Sequence, residues 1–98
     1  MSPEDLFSGL LTMGADRRDP RGAGLALQQA RGLAQDDADR EAVVTARRNL
    51  VMEWLRRRDR SEALREAKTL LREAPGSPAA RELRPLIRAL ERLPRTGG

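Results

Sequence analysis

The stretch NLVMEWLRRRDRSEALREAKTLLREAP, residues 49–75, decides the fold. Leu50, Val51, Trp54 and Leu55 recur at the three- and four-residue spacing of one helix face. Arg56-Arg57-Arg58 breaks that pattern. Asp59-Arg60-Ser61-Glu62 then sets an N-cap acceptor three residues before a glutamate, the arrangement that starts a new helix. Ala63, Leu64, Ala67, Leu70, Leu71 and Ala74 resume the helical spacing until Pro75-Gly76 ends it. The stretch therefore reads as two amphipathic helices joined by a short turn.

The same signals extend in both directions. The apolar stripe runs back through Ala46, Val44 and Val43, so the third helix is expected over about 38–57 and the fourth over 60–73. Ser2-Pro3-Glu4-Asp5 combines a capping serine, a proline at the first helical position and acids in the first turn. It predicts a first helix over about 3–13, with Leu6, Phe7, Leu10 and Leu11 on one face and Gly14 as its C-cap. Asp19-Pro20 repeats the device and opens a second helix over about 20–35. Its face is Ala23, Ala26, Leu27, Ala30, Leu33 and Ala34. Gly22, Gly24 and Gly32 each weaken it by roughly 1 kcal/mol, which is read as close approach of another helix. Asp36-Asp37-Ala38-Asp39 is a turn followed by an acidic first turn; it lacks the glycine of a calcium loop. Ser77-Pro78 opens a fifth helix over about 78–92 that buries Leu83, Leu86, Ile87 and Leu90, with a kink expected at Pro85. Residues 1–93 form one helical domain and 94–98 a frayed tail.

Composition fits an all-α chain. The 98 residues hold 24 large apolar side chains and 14 alanines, enough for the seams of a helical bundle. Three valines, one isoleucine and four threonines are too few for a sheet. The chain has no cysteine and no histidine, which excludes a disulfide scaffold, a zinc cluster, a thiol nucleophile and a histidine base. Glycine-rich phosphate loops are missing too, since Gly22-Ala23-Gly24 lacks the later glycine and a preceding strand. The acids and serines fall mostly at helix starts. The expectation is a protein without catalysis, metal or cofactor.

No run of 18 apolar residues and no apolar leader is present, so a cytoplasmic protein is expected, and 18 arginines against one lysine point to a GC-rich bacterial genome. The net charge of +4 is uneven: residues 1–49 carry 7 basic and 8 acidic groups, residues 50–98 carry 12 and 7.

A shift of 37 residues superimposes Ala26-Leu27 on Ala63-Leu64, Ala30 on Ala67 and Leu33 on Leu70. The chain then reads as two helix pairs and a closing helix. Residues 44–80 resemble the tetratricopeptide repeat. Leu50 stands where that family has its first-helix leucine and Trp54 where it has an aromatic four residues later. Asp59 stands at the turn, Glu62-Ala63-Leu64 at the start of the second helix, and Pro75 at the close. Val51 and Arg58 depart from it where the family usually has glycines, as does the 37-residue period against 34. The resemblance implies an array whose first-of-pair helices line a concave groove for a peptide or partner helix. Carried onto this chain, Thr45, Arg48, Asn49, Met52 and Arg56 face that groove, with Arg48 and Asn49 suited to an acidic group or a C-terminal carboxylate.

Two other readings stand beside this one. Arg81, Arg84, Arg88 and Arg92, with Arg95 beyond them, form a basic stripe on the last helix that could contact nucleic acid. Arg56, Arg57, Arg58 and Arg60 add a second cluster, whereas Glu82 and Glu91 interrupt the stripe and no aromatic accompanies it. An exposed apolar edge could also pair with a second copy of the chain.

Overall fold

The computed structural model describes residues 2–94 and contains five helices in the order α1 (Pro3–Gly14), α2 (Pro20–Leu33), α3 (Asp37–Arg56), α4 (Arg60–Glu73) and α5 (Pro78–Arg92). Among the described residues there is no strand. Of the expected tail, Pro94 is exposed and outside any helix, and the rest, Arg95 included, lies outside the described residues.

Each helix starts where an oxygen is available to cap it. Ser2 accepts from the Asp5 backbone N–H, Asp19 from Gly22, Asp36 from Asp39, Asp59 from Glu62 and Ser77 from Ala80, at 2.8–3.2 Å. These bonds satisfy one orphan donor per helix, and at α1, α2 and α5 a proline occupies a first-turn position that needs no donor. The connections are short, so consecutive helices fold back on one another. α1 packs on α2, α2 on α3, α3 on α4 and α4 on α5; α3 also touches α1 and α5. The result is a slab with Cα extents of 47 × 29 × 15 Å.

The main core gathers Ala23 and Leu27 of α2, Leu50, Val51 and Trp54 of α3, Ala63, Ala67 and Leu70 of α4, and Ala80, Leu83 and Ile87 of α5. A second cluster joins Phe7 and Leu10 to Ala26, Ala30 and Val43. Alanines at Ala23, Ala30, Ala63, Ala67 and Ala80 are almost fully buried, which lets the helix backbones approach closely.

The details that differ from the sequence reading have local causes. Leu6 points outward and is 45% exposed, because Phe7 and Leu10 already fill the seam with α2 and α3. α1 runs through Gly14 and is capped at Ala15. Gly14 is the glycine of close approach, since a Cβ there would collide with the Leu27 side chain. The three α2 glycines behave otherwise: Gly22 lies against its own cap, Gly24 at ordinary contact distance, and Gly32 faces open space. α5 passes through Pro85 without interruption of the helix.

Arg58 is the one non-glycine residue with positive φ among the described residues, at 62°, in the turn between α3 and α4. Its left-handed backbone lets the Asp59 N–H reach the Trp54 carbonyl at 2.9 Å and closes α3.

One charged group lies inside the apolar stripe of α3. The Arg47 side chain is only 4% exposed, with Nη1 2.7 Å from Glu66 Oε1 and Nε 3.0 Å from Glu73 Oε1 on α4. The Nε–H is close enough to Glu73 for charge attraction but not aligned for a hydrogen bond. Glu73 also meets Arg31 of α2 at 3.4 Å. A desolvated guanidinium thus ties three helices together.

Two substitutions test these assignments. Arg47→Ala leaves Glu66 with its partner removed and is expected to cost about 3 kcal/mol or more, read as a lower urea midpoint; a loss under about 1 kcal/mol, the scale of an exposed pair, would contradict it. Arg58→Gly removes the Cβ penalty of a left-handed residue and is expected to gain roughly 0.5–1 kcal/mol after the unfolded-state entropy of glycine is subtracted. A lowered midpoint would show that the Arg58 side chain contributes more than its backbone costs.

Candidate functional site

α3 presents a straight line of small and polar residues toward the end of α1. Ala38, Ala42, Thr45, Asn49 and Glu53 follow one another at three- and four-residue intervals and share a face, with Ala46 beside Thr45. Opposite them run Gly14, Ala15, Asp16 and Arg17, the end of α1 and its loop. Together they enclose a cavity of about 500 Å³ with Leu50 at its base. That volume suits a ligand group or an inserted side chain. The alanines make the space: they leave a gap beside α1 that larger side chains would fill.

Of the five contact residues expected from sequence, Thr45 and Asn49 stand on the cavity wall, both exposed. The other three expected contact residues do not line it. Arg48 turns toward α5, where its Nη2 and Nε donate to the two carboxylate oxygens of Glu82 at 2.7 and 3.3 Å. That pairing draws the Glu82 carboxyl below its ordinary range. Met52 is half-buried against the main core. Arg56 is exposed, but its guanidinium is engaged by Glu53, at 2.6 Å from Nη2 to Oε2 and 3.2 Å from Nε to Oε1.

Glu53, not among the contact residues expected from sequence, is the structural centre of the cavity wall. Its side chain is 5% exposed and is held by two guanidinium groups. Arg57 Nε donates to Glu53 Oε2 at 2.9 Å while Arg57 Nη2 donates to the Arg17 carbonyl at 2.7 Å. One side chain thereby fastens the loop wall of the cavity to α3. Hydrogen bonds from Arg56 and then Arg57 lower the Glu53 carboxyl from 4.5 to about 2, against the opposing effect of burial. The cavity rim adds Asp16, held below its usual range chiefly by the backbone N–H and then the side chain of Arg18, and Glu41, which makes no ion pair among the described residues. Glu53 is spent on Arg56 and Arg57 and Asp16 on Arg18, which leaves Glu41 and Arg17 as the charges of the lining without an ion pair among the described residues.

The expected basic cluster after α3 is largely occupied. Besides Arg56 and Arg57, Arg60 donates to the Leu93 and Pro94 carbonyls at 3.1 and 3.3 Å and closes the end of α5. The stripe on α5 is different. Arg81, Arg88 and Arg92 are exposed, and Arg84, half-buried, donates to the Pro75 carbonyl at 2.6 Å. None of the four meets a carboxylate among the described residues.

A second cavity of about 440 Å³ lies between α2 and α4 over Arg47. Arg65 pairs there with Glu62, and Arg47 with Glu66 and Glu73, while Arg21 and Arg72 of the lining meet no carboxylate among the described residues, so four arginines face three glutamates.

The Glu53 clamp has a pH signature. A carboxyl whose folded value is depressed contributes stability fully above its unfolded value, here 4.5, and loses it as pH falls toward about 2. Glu53→Gln is expected to melt at a lower temperature than the parent at pH 7. The gap between their melting temperatures should close as pH drops through the interval from 4.5 to about 2. A gap that stays constant across that interval would contradict the clamp.

Comparison of the chain with protein-family models, with curated proteins and with solved structures finds no match, so the chemistry of the site is read from its own residues.

Proposed function

We propose that this chain is a non-catalytic protein-interaction module, similar to a short tetratricopeptide array, that receives a helix or peptide in the groove between α1 and α3. The observation that carries the reading is the cavity itself. An apolar floor of Ala38, Ala42, Ala46 and Leu50 lies beneath a polar rim of Thr45, Asn49, Asp16 and Glu41. Small residues on the floor admit a partner's large apolar side chain, and the rim supplies orientation.

The non-catalytic reading is supported by the state of Glu53. The buried carboxylate of the site is clamped by two arginines and stays ionised far below neutral pH, which is the opposite of a general acid or base poised near 7.

Glu41, the carboxylate of the rim without an ion pair, favours a partner segment that carries a basic residue. An acidic group, for which Arg48 and Asn49 are suited from sequence, finds Arg48 already engaged by Glu82, and Arg56 beside them is engaged by Glu53. Glu41, exposed on the first turns of α3, is the residue free to receive a lysine or arginine.

A displayed peptide library tests this directly. Retained sequences are expected to pair one or two large apolar residues with a lysine or arginine. Glu41→Lys is expected to weaken the best of them about tenfold, equal to about 1.4 kcal/mol. Ala46→Arg, which fills the floor, is expected to abolish binding while the helical circular dichroism is kept. Enrichment of acidic peptides, or affinity unchanged in both variants, would overturn the assignment.

A further inference from the structure

The outward face of α5 collects cations that meet no carboxylate among the described residues, with Arg84 held only by the Pro75 carbonyl. Arg81, Arg84, Arg88 and Arg92 are separated by three, four and four residues, so they fall within one narrow strip directed away from Leu83, Ile87 and Leu90. At 1.5 Å per residue the strip is about 16 Å long.

In the sequence, Glu82 and Glu91 interrupt this strip. The folded chain removes both from consideration. Glu82 is taken by Arg48 of α3 at 2.7 Å, and Glu91 by Lys68 of α4 at 3.0 Å. The two acids flank the strip and are spent on holding α5 to its neighbours, whereas the arginines between them keep their charge. This contrasts with the end of α3, where Arg56 and Arg57 are consumed by Glu53.

The composition of the strip selects the ligand. Only Pro85 and Ala89 share it with the arginines, so it has no large apolar or aromatic centre from which a protein interface draws its affinity. It has no aromatic ring on which an unpaired base would stack. Phosphates in a row need neither, and guanidinium groups match them well. We propose that the outward face of α5 binds the phosphate backbone of a nucleic-acid duplex, without base readout, at a site separate from the α1–α3 groove.

Along a duplex strand one phosphate recurs for every 3.4 Å or so of axis, so a strip of about 16 Å spans roughly five. Four contacts predict a slope of log K against log salt of about −3.6, and affinity falling roughly 100-fold between 50 and 200 mM salt.

Fluorescence anisotropy of the whole chain with labelled 30-base-pair DNA and RNA duplexes of unrelated sequence reads these values. Similar affinity for the different sequences and the steep salt slope are expected. Arg81→Glu with Arg88→Glu should lose at least tenfold in affinity with the melting temperature of the chain retained. If that double variant does not fold, Arg81→Gln with Arg88→Gln should halve the slope to about −1.8. The groove variant Glu41→Lys should keep the affinity of the parent within a few fold, which separates this proposal from the one for the groove. Absence of binding at 50 mM salt overturns the proposal, as does a slope unchanged in the glutamine variant. Equal or tighter binding to phosphatidylserine vesicles or to polyglutamate overturns it as well, in favour of a membrane surface or an acidic protein.

Discussion

The position of Arg47 constrains everything around it. An arginine that is almost fully withdrawn from water must find carboxylates at fixed places, or the charge costs several kcal/mol. Glu66 and Glu73 meet that demand from α4, and Glu73 extends the tie to Arg31 on α2. The remaining contacts of this seam combine Ala23, Ala63 and Ala67 with Leu27, Leu50, Val51, Trp54 and Leu70. Apolar contact of this kind carries no fixed direction and tolerates small shifts of one helix along another. A directional charge pair does not. The register of α2, α3 and α4 is therefore set by polar geometry, and the apolar core supplies the stability that the register focuses. The cavity beside α1 inherits its shape from that arrangement, because the face of α3 it uses is fixed once Arg47 is turned inward.

Much of the architecture could be read from residue order, for a specific physical reason. Helix starts are local events, and Ser2, Asp19, Asp36, Asp59 and Ser77 announce them within four residues each. The buried faces of α4 and α5 likewise follow from spacing alone. The charged side chains were less legible. Arg47 lies on the line through Val43, Leu50 and Trp54, a position where periodicity alone cannot say whether a charge is buried. The signal available was indirect: Glu66 and Glu73 sit seven apart on one face of α4, ready to meet a cation. Arg48 and Arg56 were assigned to the groove by analogy with a repeat family, but their partners are Glu82, 34 residues away in the chain, and Glu53, three residues away. Which carboxylate claims an arginine is decided by tertiary packing, and that information is absent from spacing.

The arginines consequently divide by occupation rather than by location. Arg47 locks helix register, Arg48 holds α3 to α5, Arg57 fastens a loop, and Arg60 closes the last helix. Such use explains why a strongly basic chain exposes less free charge than its composition implies. Arg17, Arg21, Arg58 and Arg72 also meet no carboxylate among the described residues, but they are scattered over other elements, whereas α5 gathers its unpaired arginines on one face.

The pattern of helix contacts has a kinetic side. Each helix packs mainly on the one before and the one after it, and the longest-range neighbours are α1 with α3 and α3 with α5. Loop closure is therefore inexpensive at every step, and no distant strands must find each other before contacts form. A chain connected in this way assembles by successive docking of adjacent helices, on the microsecond-to-millisecond scale of helical domains with local topology. The ion pairs that bridge α2, α3 and α4 then act late, converting a quickly collapsed row of helices into one with a single register.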